Sequence, residues 1–110
     1  QSDLAFRTKL YAKKNSTIRL IQINMLDEGQ RLLNAVGSVC DETAKLDVLQ
    51  MLIGQGDVYN GIQTELEGDQ SELHTEIGYI GQKQQSLDMN LVVNHWGKKT
   101  NCDIQVDGTL

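Results

Sequence analysis

Apolar positions recur along most of the chain at steps of three, four and seven. Leu4, Leu10, Tyr11, Ile18, Ile21, Met25, Leu32 and Val36 share such a spacing, which predicts one long amphipathic helix or two broken near Asn15. Lys13-Lys14-Asn15-Ser16-Thr17 is the polar stretch where that break would fall, and Gly37-Ser38 would end the segment. Asp41 is then placed to cap a second helix carrying Leu46, Leu49, Leu52 and Ile53, interrupted at Gly54-Gln55-Gly56. A short third helix would run from Asp57 through Val58, Tyr59, Ile62 and Leu66 to Gly68. A fourth would start at the capping box Asp69-Gln70-Ser71-Glu72 and carry Leu73, Ile77, Ile80, Leu87 and Leu91 as far as Trp96-Gly97. From Lys98 the residues read as an irregular tail.

The expectation is an all-α fold: one domain over residues 1–110, a compact antiparallel bundle of about four helices. The absence of proline and the abundance of Leu, Gln, Glu, Lys and Ala point the same way. A second reading takes Leu52, Tyr59, Leu66, Leu73, Ile80 and Leu87, at consecutive steps of seven, as the seam of a coiled-coil oligomerisation module. That seam would pass through Gly54, Gly56, Gly61 and Gly68, each costing about 1 kcal/mol relative to alanine, so the bundle and a monomeric state are favoured.

Composition narrows the function classes. No apolar run approaches the roughly 18 to 20 residues of a membrane helix. The net charge of −5 argues against nucleic acid as a partner. Cys40 and Cys102 are the two cysteines. Joining them would close a loop of roughly 60 residues and stabilise the fold by about 4 kcal/mol in the chain-entropy model. With Gln1 as a processed start and Asn15-Ser16-Thr17 as a glycosylation sequon, a disulfide points to a secreted protein, against the alternative of two free buried thiols in a cytosolic domain.

No spacing of catalytic, metal-binding or cofactor-binding residues is found. Gly54-Gln55-Gly56 lacks the third glycine and the preceding strand of a dinucleotide loop. His74 lies outside any His-Glu-x-x-His pattern and reads as a solvated helix residue. The charge layout is more informative. Residues 1–37 carry six basic and three acidic side chains, residues 38–110 four and twelve. An acidic helical face at Glu65, Glu67, Glu72 and Glu76, with Trp96 as an apolar anchor, therefore suits a non-enzymatic protein that binds a basic partner.

The stretches Lys9-Leu10-Tyr11-Ala12-Lys13-Lys14 and His95-Trp96-Gly97-Lys98-Lys99, on a short proline-free chain with two distant cysteines, resemble the anopheline salivary protein family that includes anophensin and albicin. The resemblance implies secretion in saliva and stoichiometric inhibition of a host plasma cascade, either the alternative complement pathway or the contact system. Its partner would be a host plasma protein or protease complex.

Overall fold

The protein is described by a computed structural model covering residues 2–81 and 87–109. The described residues contain no helix. They form eight strands: β1 (Ser2–Ala12), β2 (Thr17–Leu26), β3 (Gln30–Cys40), β4 (Lys45–Gly54), β5 (Asp57–Leu66), β6 (Glu72–Gly81), β7 (Leu87–His95) and β8 (Asn101–Thr109). The odd-numbered strands make one sheet in the order β1-β3-β5-β7, the even-numbered strands a second in the order β2-β4-β6-β8. Every pairing is parallel. The chain thus winds as a flattened β-solenoid, each coil giving one strand to each sheet. In the even sheet, Thr17 pairs with Lys45, Lys45 with Glu72 and Glu72 with Asn101. One coil therefore takes roughly 28 residues, within the usual range for repeat architectures.

This architecture overturns the all-α bundle and the coiled-coil seam alike. Four strands span the stretches read as the first two helices, and the tail beginning at Lys98 contains β8. The physical reason lies inside the coil. Positions alternate between buried and exposed along β4 and β5, as strand geometry requires. Many buried positions, however, are polar: Asn34, Ser38, Gln50, Asn60, Thr64 and Thr75. Many outward positions are apolar, among them Ile21, Ile23, Leu49 and Met51. Both substitutions erase a period of two and leave three- and four-residue steps that mimic a helix. Four steps of seven make one coil, so the heptad-like series runs in phase with the winding. Leu52, Leu66 and Leu73 of that series are interior while Tyr59 and Ile80 point outward.

Some breaks between elements fall where the sequence places them, but the corner between β2 and β3 lies inside the first expected helical segment. Lys13–Ser16, Gln55–Gly56 and the segments around Gly68 and Gly97 are corners, whereas Gly37-Ser38 lies within β3. Gly54 has φ +129° and its α-carbon lies against Leu26, whose carbonyl would collide with any added β-carbon. The corners that follow odd strands repeat one geometry. Asn15, Thr43, Gln70 and Lys99 all adopt left-handed φ, from 55° to 62°. Three of these amides donate to the next coil: Asn15 to the Glu42 carbonyl, Thr43 to Asp69 and Gln70 to Lys98, at 2.8 to 3.0 Å. The aspartates read as helix caps act in these corners instead: Asp41 Oδ1 accepts from the Glu42 amide at 2.7 Å and Asp69 Oδ1 from the Lys98 amide at 2.8 Å.

The interior is apolar at Leu46, Leu52, Leu66, Leu73 and Ile77, crossed by a closed ring of amides that joins the sheets. Asn34 Nδ2 donates to Gln22 Oε1 (3.1 Å) and Asn60 Oδ1 (3.0 Å). Gln50 Nε2 donates to Gln22 Oε1 (2.7 Å), and Asn60 Nδ2 to Gln50 Oε1 (2.7 Å). Ser38 and Thr64 form a second buried pair at 2.8 Å. Buried amides without partners would be costly, and this ring satisfies them in a way that only one register of the coils permits.

Candidate functional site

Outward positions of successive coils stack in register, and on the outer face of the even sheet this lines up ionisable side chains in rows. Arg19, Asp47, His74 and Asp103 form one such row, Thr17, Lys45, Glu72 and Asn101 the row beside it. Arg19 meets Asp47 at 3.6 Å and Lys45 meets Glu72 at 3.8 Å. His74 is the centre of the group: Nε2 lies 3.0 Å from Glu76 Oε1 and Nδ1 lies 3.1 Å from Asp103 Oδ2. A neutral imidazole can donate from one nitrogen only, so two carboxylate partners favour the imidazolium. The pKa of His74 is accordingly raised, first by the hydrogen bond to Glu76 and then by Asp103, against an opposing effect of desolvation.

The sulfurs lie on the other side of the strands. Cys40 ends β3 in the interior and Cys102 follows Asn101 at the start of β8, in register with buried Leu73. Both are free thiols, so the disulfide expected from the sequence is not formed in this structure. They stand on strands of different sheets, with Cys102 in the last coil. Burial pushes the Cys40 thiol up to about 11. Cys102 is also raised, by burial and then by the charge of Asp103. Thiolate, the metal-binding and nucleophilic form, is thereby disfavoured at both positions at neutral pH. Among the described residues no group of three or more His, Cys, Asp or Glu side chains is placed to hold a metal ion.

The four acids read as one helical face are dispersed. Glu65 lies on the outer face of the odd sheet, Glu67 in a corner, and Glu72 and Glu76 on the outer face of the even sheet. Glu65 and Trp96 do meet, the indole Nε1 donating to Glu65 Oε2 at 3.4 Å, with Trp96 69% exposed. Asn15 sits at an exposed corner, its side-chain oxygen accepting from Thr43 Oγ1. Gln1, read as a processed start, and residues 82–86 of the fourth expected helix lie outside the described residues. The basic first segment and the acidic remainder are joined through register, Lys14 to Glu42 and Arg19 to Asp47. The row centred on His74 escapes a reading of the sequence because its members stand on successive coils; their regular separation by one full winding is its only signal.

Comparison with known families adds the decisive observation: residues 3–110 match the family described as SUF system FeS cluster assembly, SufBD core domain. The chain belongs to the SufBD core family. No curated protein and no solved structure matches it. Membership corrects the functional expectations drawn from the sequence. A SufBD core domain points to iron–sulfur cluster assembly, which overturns the salivary inhibitor of complement or the contact system, the host plasma protein as partner, and the coiled-coil module.

The cluster is cargo for such a domain, and the donor set can be tested against it. Iron–sulfur clusters are held chiefly by cysteine thiolates, commonly four. This SufBD core domain has two cysteines, both facing inward and both held protonated. His74 engages both ring nitrogens with carboxylates. These residues alone therefore fall short of a four-thiolate set.

Proposed function

We propose that this SufBD core domain is a non-catalytic scaffold in iron–sulfur cluster assembly, one that holds other SUF components on its faces and contributes at most part of a cluster's ligand set. Family membership across residues 3–110 carries this reading. Two features support it. Interior amide ties and register-matched ion pairs make a stiff support, and the two protonated thiols suit a reducing compartment inside the cell.

The test is anaerobic reconstitution of the chain with ferrous iron and sulfide, alone and with the other SUF proteins of its own genome. The chain alone should gain no visible cluster absorption. The assembled complex should gain it, and Cys102→Ser should diminish it. A full cluster loading onto the isolated Cys40→Ser/Cys102→Ser double variant, or failure of the chain to co-purify with any SUF component, would overturn the reading.

A further inference from the structure

Parallel sheets ordinarily have both faces covered, and contiguous exposed apolar patches are rare on monomers. The even sheet departs from both rules. Its inner face packs on the interior, but the outer face at the ends of β2 and β4 presents Ile21, Ile23, Met25, Leu49 and Met51, joined by Ile80 of β6. Met25 is 75% and Ile23 62% exposed. The block is two strands wide and three outward positions long.

That footprint matches one helix. Two strands about 4.8 Å apart underlie the width of an α-helix about 10 Å across, and side chains spaced at i, i+3 and i+7 would reach the three rows. A binder lying on the face itself meets side chains only, since β4 is paired on both sides, with β2 and with β6; the outer edge of β2 has no strand partner among the described residues. Gly78 leaves a low point beside Met51, whose sulfur and terminal methyl lie 3.2 Å from where a β-carbon on Gly78 would stand. Methionine over a glycine notch is an adaptable surface.

Charge fixes the partner's other side. On the flank formed by β6 and β8, Glu72, Glu76, Asp103 and Asp107 face outward beside the imidazole of His74. Lys45 stands away from the block at the start of β4 and Arg19 borders it, one outward position before Ile21; they are already paired, with Glu72 and Asp47. The flank is therefore acidic.

We propose that the outer face of the even sheet docks an amphipathic helix of a partner protein, apolar along the side over β2 and β4 and basic along the edge toward β6 and β8. The probe is a synthetic amphipathic helix with leucines on one side and lysines along one edge, and a twin with glutamates in place of the lysines. Titrated into the chain, the lysine peptide should shift the methyl signals of Ile21, Ile23 and Ile80 and leave interior Ile62 in place. Ile23→Lys should weaken it about tenfold or more, and Glu76→Gln with Asp107→Asn about threefold, because rim charges contribute less than a buried apolar anchor. The glutamate twin should bind more weakly and gain affinity in the double variant, which removes like-charge repulsion.

Equal binding of the twins would overturn the proposal, as would Leu33→Lys on the odd sheet weakening the lysine peptide as much as Ile23→Lys. A dimer in light scattering that Ile23→Lys dissolves would assign the face to a second copy instead and equally overturn it. Outward substitutions at position 23 leave the interior untouched, so loss of binding with an unchanged circular dichroism spectrum is interpretable.

Discussion

The two sheets share one interior and one winding rule, yet their outer faces diverge. On the odd sheet the centre is low, with Ala35, Gly37 and Gly61 in the middle strands and a β-carbon at Gly37 opening onto empty space. Of its larger apolar side chains, Leu33 and Tyr59 are neighbours in register, and Tyr11 is set apart from that pair by these small residues. On the even sheet the apolar side chains are contiguous and bordered by acids. The solenoid demands only that inward positions fit, so outward positions are free to differ. Interaction chemistry in this fold is written on one residue in two of each strand.

Variants can break or sharpen that contrast. The largest effect should come from the corner that hands the chain from the even sheet to the odd. Gly54→Ala places a side chain against the Leu26 carbonyl at φ +129°, and urea unfolding should show a loss of about 3 to 4 kcal/mol felt by both sheets. Next comes the shared interior. Gln50→Ala removes the acceptor of Asn60 and the donor to Gln22, and should cost about 3 kcal/mol from orphaned amides and the cavity together.

Smaller and confined to the even sheet is the effect at His74. Its pKa is raised on folding, so its clamp stabilises fully below the ordinary histidine value of about 6.5 and is lost as pH rises through the higher folded value. His74→Gln should therefore lower stability in mild acid, by less than about 1 kcal/mol after solvent screening, and match the parent at pH about 9. Equal losses at both pH values would show that the ring acts by packing alone. Smallest of all, Ile23→Lys and Leu33→Lys should each change the stability of the isolated chain by less than about 0.5 kcal/mol, since both positions already face water.

How much of this is legible in the residues depends on the scale at which they are read. Some corners are visible, because Lys13-Lys14-Asn15 and Gly54-Gln55-Gly56 break any regular element, while the one at Asp27-Glu28-Gly29 is passed over by the spacing of Met25 and Leu32. Element type is not. Gln50 and Asn60 sit inside where strand alternation calls for apolar residues, and Leu49 and Ile21 sit outside where it calls for polar ones. The period of the winding is present throughout, in pairs such as Arg19 with Asp47 and Lys45 with Glu72. It becomes readable only once residues a whole coil apart are compared. The His74 group is hidden for the same reason, its partner Asp103 lying one full winding downstream.

The repeated left-handed corner at Asn15, Thr43, Gln70 and Lys99 has a consequence for how such a molecule changes length. Residues gained or lost between strands are absorbed at the corners, these among them: the stretch joining an odd strand to the next even strand has four residues after β1 and β3 and five after β5 and β7, and the return stretch has three after β2 and two after β4, while the strands remain in step. A whole winding can thus be duplicated or deleted without disturbing its neighbours' pairing. Groups displayed along the axis then move apart in fixed increments of about 4.8 Å, a ruler whose graduations are set by the backbone.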